Sequence, residues 1–392
     1  MKKKICVITG SRAEYGLFSP LLKQLRNDRS FQLQIIAAGM HLSSVFGSTF
    51  KEIEKDGFLI NEKVYMRLGD DSPAGITRSM GAGMIGFAGA LKRLAPDLVL
   101  VLGDRFEIFA AAAACHTARI PLAHFYGGDL TEGAIDDAFR HCITKMSLLH
   151  FVSTEACRRR VIQLGEAPSR VFNIGSLGID NILNLPLLER AELEKEIGFQ
   201  MGVRNILVTF HPVTLEAGSA EKQCKEMLNA LDSLGDCSLV FTGSNADTEG
   251  RIILKLIREY IGKNRGKAAY FASLGAIKYL SVMKYSDMVL GNSSSGIVEA
   301  PSFGIPTVNI GDRQKGRVQP GSVINCGPRA VDIRRAIWKA RSPDFRKKCS
   351  KIINPYGDGN SAAKAVKRIK EYFACPRVMR KSFYDIRFWN HV

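Results

Sequence analysis

The chain has few of the spacings that turn cysteines into a framework. Nine of them (Cys6, Cys115, Cys142, Cys157, Cys224, Cys237, Cys326, Cys349 and Cys375) are scattered over 392 residues. The number is odd and no two form a C-x-x-C pair, which argues against a disulfide scaffold and a zinc ribbon. Reduced thiols in a cytoplasm are the expectation. No apolar run approaches the ~20 residues needed to span a bilayer. The N-terminal M-K-K-K-I-C-V-I-T-G is basic and then apolar, but the apolar part is short and runs into a glycine turn. It is expected to be a first strand, not a secretion signal. The net charge is +17, yet no nucleic-acid motif and no interleaving of aromatic with basic residues accompanies it. The excess cation is expected on a solvated surface, with a few bases serving an anionic ligand. Neither a nucleic acid nor a membrane is expected as a partner. At this length the chain has room for two domains with full cores.

The most informative stretch runs from Pro96 to Lys145. Leu98 to Leu102 is an unbroken apolar run ending in Gly103, as in a strand covered on both faces. Ile120 to Ala123 repeats the pattern, and the alanine tract Ala110 to Ala114 between them is helical. Strand, helix, parallel strand is the expected unit. Ligands of such sheets bind beyond the carboxyl ends of the strands. Asp104, Arg105 and Glu107 follow the first strand, and His124, Tyr126, Asp129, Glu132, Asp136 and Asp137 follow the second. A helix is expected over Glu132 to Met146 with Thr131 as its cap, placing Asp136 with Arg140 and Asp137 with His141 on one face. Gly69 to Gly86 reads as a mobile loop leading into a helix.

Lys4 to Thr9 is a buried-type strand ending in G-S-R-A-E-Y-G. A strand, a glycine turn and a helix can present amides to phosphate, and Arg12 adds a forked cation. Leu33 to Gly39 is the next strand, with His41 after it as a candidate cleft residue whose commoner role at such a place is structural. His150 to Ser153 and Val171 to Gly175 complete a first sheet. A second series follows: Asn205 to Phe210 ending at His211, Ser238 to Gly243 ending near Asn245, Met288 to Leu290, and Thr307 to Gly311 as the last clear strand. G-N-S-S-S-G at 291–296 combines amides, hydroxyls and small side chains at a helix start, as a diphosphate cradle requires. Arg313 and Arg317 would add cations there. The expected fold class is α/β, with two Rossmann-like doubly wound domains and a central ligand cleft. Residues 1–178 are expected to form the first domain, 203–360 the second, and 361–392 a C-terminal helix that crosses back to the first.

Nine motifs in order then carry a resemblance: T-G-S-R-A-E-Y-G (9–16), G-D-R-F-E (103–107), G-G-D-L-T-E-G-A-I-D-D (127–137), R-H-C-I-T-K-M-S (140–147), R-V-I-Q-L-G-E (160–166), F-H-P-V-T-L-E (210–216), G-S-N-A-D-T (243–248), G-N-S-S-S-G-I-V-E-A-P-S (291–302) and I-G-D-R-Q-K-G-R (310–317). Over nearly its whole length the chain resembles the hydrolysing UDP-N-acetylglucosamine 2-epimerases of sialic- and legionaminic-acid synthesis. The resemblance implies the glycosyltransferase-B architecture, no metal and no nicotinamide, a nucleotide-sugar substrate with UDP as product, and a homodimer or homotetramer. It implies UDP-binding roles for Arg12, Ser294, Ser295 and Gly296, with Glu299 near the ribose. Asp104 and Asp136 resemble catalytic carboxylates, and His211 the histidine near the leaving diphosphate. Arg105, Asn245 and Arg313 complete the candidate substrate contacts. Non-hydrolysing relatives carry a glutamate where this chain has Tyr126, so Asp129 or Asp137 is left to take up that work.

The chemistry explains the residue types. Inverting C2 of a 2-acetamido sugar means taking a proton from one face and returning it to the other. That needs proton-transfer groups on both faces and positive potential at the departing diphosphate. The expected reaction takes UDP-N-acetylglucosamine to N-acetylmannosamine and UDP through a glycal. Alternatives are the same reaction on UDP-2,4-diacetamido-2,4,6-trideoxyglucose, or a glycosyltransferase of the same fold. A nucleotide-sugar sensor would leave the carboxylates unexplained.

Overall fold

The computed structural model describes residues 2–132, 135–212, 218–235, 237–243, 250–375 and 380–386. Its strands, in chain order, are β1 (Lys3–Thr9), β2 (Phe31–Ala38), β3 (Glu62–Val64), β4 (Leu98–Leu102), β5 (Leu122–Phe125), β6 (Leu149–Val152) and β7 (Val171–Asn173). They continue as β8 (Arg204–Thr209), β9 (Cys237–Thr242), β10 (Ala268–Phe271), β11 (Met288–Gly291), β12 (Thr307–Ile310) and β13 (Val323–Cys326). Two sheets result, with spatial orders β3-β2-β1-β4-β5-β6-β7 and β10-β9-β8-β11-β12-β13. The pairings are parallel. In each sheet the order reverses beside one strand, at β1/β4 and at β8/β11. A crevice opens at such a switch point because the flanking connections leave in opposite directions.

Apolar runs buried on both faces explain the central strands. Every residue of β4 is buried. Alternate side chains of the first sheet feed two clusters: Ile5, Val7, Phe125 and Phe151 with the helix residue Phe18 on one side, and Ile8, Val99 and Val101 with the helix residue Phe87 on the other. The helix Phe106–Thr117 buries Ala110, Ala111, Ala112 and Ala114, so its alanine tract is a close-packing surface. The last helix, Ser361–Ala374, packs into the first sheet's cluster through Ala362, Ala365 and Ile369. Its first amides, of Ser361 and Ala362, donate to the two Asp180 carboxylate oxygens at 2.9 and 2.8 Å. Among the described residues no helix is long and apolar enough to cross a membrane.

Three short strands, β3, β10 and β13, escape the periodicity because they have only three or four residues and include polar side chains. β5 lies two residues later than the apolar run indicates, because Pro121 has no N–H to give a ladder. The Gly69 to Gly86 stretch is largely the start of a 22-residue helix, Pro73–Leu94. Ser72 caps it, accepting from Gly75 N–H at 3.1 Å. The glycines that looked like loop markers are contact positions: a Cβ at Gly83 or Gly86 would come within 2.6 Å of Met66 or Val64. The helix expected from Glu132 starts instead at Asp136 and runs to Met146.

Gly291, at the end of β11, has φ 131° and a Cβ there would run into the Thr209 carbonyl of β8. Backbone on both sides leaves nothing to give way. Gly291→Ala is expected to cost at least about 2 kcal/mol of stability, read as a lower urea midpoint.

Candidate active site

The two switch points face each other across one cleft of about 920 Å³. Arg12, Asp104, Arg105, Asp129 and Asp136 line it from the first lobe; His211, Ser294, Ser295, Glu299 and Arg313 line it from the second. Asn245 lies outside the described residues.

Arg140 is the hub of the acidic wall, with its side chain 2 % exposed. One guanidinium nitrogen donates to the Asp129 carbonyl at 2.7 Å and to Asp137 Oδ1 at 2.8 Å. The other donates to Asp104 Oδ2 and, at 2.8 Å, to Thr131 Oγ1. A planar fork with several donors suits this task better than a lysine. Asp137 is not on the cleft wall. It also accepts from the Thr131 N–H at 2.6 Å and lies 3.4 Å from His141 Nε2. Burial opposes its ionisation, but the hydrogen bonds from His141 and Thr131 and the Arg140 charge outweigh it and hold its pKa down at about 2. Asp136, one residue earlier in the first turn of the same helix, faces the cleft, where a helix N-terminus favours a carboxylate. Asp129 accepts from Cys157 Sγ at 3.0 Å and lies 3.4 Å from Arg317 of the second lobe.

A second buried group surrounds Glu107. Arg105 pairs with Glu107 at 3.1 Å, and Glu107 is fully buried. Gly10 and Gly39 make room for Glu107; a Cβ on either would come within 2.9 Å of its side chain. Glu14 accepts from Gly10 N–H at 2.7 Å. Burial first, and then the Glu107 charge, push the Glu14 carboxyl up to about 8. Between its ordinary 4.5 and about 8 the folded protein keeps a proton that the unfolded chain has released. Stability from this group therefore falls as pH rises through that window. Glu14→Gln is expected to flatten the slope, measured as urea midpoints at about pH 5.5 and about pH 8.5; an unchanged slope would contradict the assignment.

Tyr126 sits at the end of β5 with φ 68°, and its hydroxyl is 2.9 Å from Ser176 Oγ and accepts from Leu177 N–H at 2.8 Å. The phenol is tethered to the start of the helix Leu177–Asn184, and burial pushes its pKa up. In the second lobe, His211 N–H donates to Asn292 Oδ1 at 2.7 Å, and Asn292 Nδ2 returns a bond to the His211 carbonyl at 2.8 Å. The ends of β8 and β11 are thus locked together. Arg313 and Gln314 both donate to the Asn292 carbonyl, at 3.2 and 2.9 Å. Ser295 Oγ is 2.7 Å from Tyr279 OH. Gly296 is buried behind this turn, where a Cβ would come within 2.6 Å of Thr307. Glu299 is half-buried, and the desolvation of its carboxyl raises its pKa. Arg12 crosses the cleft to Ser273 Oγ. The lobes also meet through Lys315 and Glu132, 3.4 Å apart.

Sequence reasoning brought Asp104, Asp136, His211 and Arg12 together and set Arg140 on a helix face with Asp136, but missed that Arg140 binds Asp137 and Asp104, and passed over Glu14. The signal for the Asp137 contact was the spacing of three residues between Asp137 and Arg140. Glu14 gave none, since an acid in a helix's first turn is usually solvated.

Two Rossmann-like lobes with parallel sheets and switch points opposed across a polar cleft define an enzyme of the glycosyltransferase-B architecture. The chain belongs to the UDP-N-acetylglucosamine 2-epimerase family, whose model matches residues 23–370. It is 42 % identical over 385 residues to the hydrolysing GDP/UDP-N,N'-diacetylbacillosamine 2-epimerase of Campylobacter jejuni, covering 98 % of this chain and 100 % of that one. It is 41 % identical to polysialic acid biosynthesis protein P7 of Escherichia coli, covering 98 % of each. Its fold matches the crystal structure of the Neisseria meningitidis UDP-GlcNAc 2-epimerase bound to UDP-GlcNAc, with a TM-score of 0.81, 19 % identity, and coverage of 94 % of this chain and 100 % of that one.

Proposed function

We propose that this protein is a hydrolysing 2-epimerase of a UDP-2-acetamido sugar. The observation that carries the reading is the single cleft that joins first-lobe carboxylates to second-lobe anion-binding groups. Asp104 and Asp136 are the proton-transfer pair. One removes the C2 proton as the C1–O bond to UDP breaks, giving a glycal. Water then adds at C1 and a proton adds at C2 from the opposite face. The net change is substrate plus water to UDP plus the free 2-epimer. Arg12, His211, Ser294 and Ser295 stabilise charge on the departing diphosphate, and Glu299 and Arg313 orient the nucleotide. Arg140 holds Asp104 in place, while Asp137 and Asp129 anchor the hub. Tyr126, with its hydroxyl already bonded, serves in packing and not in proton transfer.

The likeness to the Campylobacter jejuni enzyme, named for a GDP- or UDP-linked sugar, favours a 2,4-diacetamido-2,4,6-trideoxyglucose as the sugar, and we take its UDP form as the substrate. The family's own description favours UDP-N-acetylglucosamine as the second candidate. Initial rates of UDP release from the two sugars, side by side, separate them. The diacetamido sugar is expected to give the larger kcat/KM by tenfold or more, within the limit of about 10⁴–10⁵ that a pocket hydrogen-bonding an extra polar group can reach. A reversed preference assigns the simpler sugar.

A further inference from the structure

The segment 380–386 returns to the first lobe and closes over the end of the helix that carries Asp136, Asp137 and Arg140. We propose that Lys381 is a positioning residue for the reaction, acting through that helix on Asp104. This rests on the functional reading above.

Lys381 Nζ donates to the carbonyls of Ser147 at 2.7 Å, Lys145 at 2.8 Å and Thr144 at 3.4 Å. The carbonyls of a helix's last turn have no partner within the helix, and a cation there also meets the negative end of the dipole. The ammonium is held in place by Glu166 Oε2 at 2.6 Å, on a carboxylate only 1 % exposed. Glu166 is shared with Lys145 at 2.7 Å and His150 at 2.9 Å. The backbone follows the side chain: Tyr384 N–H donates to the Gly165 carbonyl at 2.9 Å. The Phe383 ring lies against Gly165, where any Cβ would collide with it, and Lys145 Nζ is 4.9 Å from the ring centre.

From this clamp a buried chain of contacts reaches the acidic wall. Thr144 Oγ1 lies 3.1 Å from His124 Nδ1. His124 Nε2 lies 2.8 Å from the Gly103 carbonyl. The next residue, Asp104, is bonded to Arg140 of the same helix. The helix is therefore fixed near its middle by Arg140, near its end by Thr144, and at its last turn by Lys381. Releasing the last turn lets the helix shift along its axis, carrying Arg140 and Asp104 with it. Displacements of about 1 Å in a reacting group cost up to about a hundredfold in rate.

The test compares Lys381→Met, Lys381→Arg and Thr144→Val with the wild type in two assays. One is steady-state release of UDP from whichever of the two UDP-sugars the wild type hydrolyses. The other is hydrogen exchange of the amides of residues 136–146, which needs no substrate. Lys381→Met is expected to lower kcat about tenfold with KM within about twofold, and to speed exchange across the helix. Lys381→Arg, which keeps a charged donor, should recover most of both. Thr144→Val cuts the link to His124 while sparing the strap, and should lower kcat without slowed UDP binding. If Lys381→Met proves unfolded, Thr144→Val and Lys381→Arg carry the comparison. Wild-type kcat and exchange in folded Lys381→Met would overturn the proposal, as would wild-type kcat in Thr144→Val. A wild type that releases no UDP from either sugar would instead defeat the functional reading, and the exchange data would still decide whether the strap holds the helix.

Discussion

Asp104→Asn is expected to lower UDP release by roughly 10²–10⁴-fold, the range for losing one positioned acid or base. UDP affinity should change little, since the proposed diphosphate donors lie in the turn after β1 and in the second lobe. The substitution keeps size and one acceptor, so Arg140 retains a partner and the fold should survive. Asp136→Asn should show the same pattern: kcat falls, KM moves little, and titration with UDP gives a near-normal Kd. Full activity in either variant would remove that residue from the proton-transfer pair. The assignment distinguishes these two acids, which line the cleft, from Asp137, which does not and whose carboxylate meets Thr131, Arg140 and His141. Asp137→Asn should therefore act mainly on stability.

Arg140→Met should produce the largest loss of stability. The guanidinium is buried and serves two carboxylates, one carbonyl and one hydroxyl. Removing one partner of a buried ion pair leaves the other charge uncompensated, at a cost of about 3–5 kcal/mol. Here two acids lose that partner, and both are partly exposed, their side chains 23 and 24 % accessible, so water recovers part of the loss. The expected fall in the unfolding free energy is thus in the lower part of that range, read from urea melts near neutral pH. The deficit should shrink as the solution is acidified. Asp137 is held down at about 2 in the folded state, so the stability its ionised form contributes exists above its unfolded pKa and disappears as pH falls toward about 2. A melt indistinguishable from wild type would show that the hub carries no weight.

The parts of the fold visible in the sequence were those governed by local rules. Runs such as Leu98 to Leu102 must be buried on both faces, and the glycine and polar residues after them must lie at strand ends. That was enough to place Asp104, His211 and the Ser294–Ser295 turn near one crevice. What sequence could not show was which polar groups were already satisfied. Asp129, Asp136 and Asp137 look alike in G-G-D-L-T-E-G-A-I-D-D. Only the fold shows that Asp129 and Asp136 line the cleft, with Asp129 also meeting Cys157 and Arg317, while Asp137 is bound to Arg140. Tyr126 is similar: its hydroxyl is bonded to Ser176 and Leu177, some fifty residues away in sequence. The Pro73–Leu94 helix was hidden for another reason. Its glycines fit against β3 and Met66, and small residues chosen for close approach read as a loop when the neighbour is unknown.

The central claim is that both lobes act on a sugar diphosphate whose C2 hydrogen is exchanged as UDP leaves. Incubating the protein with each UDP-sugar in deuterated water and following the products by NMR tests it directly. The account predicts UDP together with a free sugar inverted at C2 and carrying deuterium there. UDP release with the original C2 hydrogen in place and the configuration retained would contradict it.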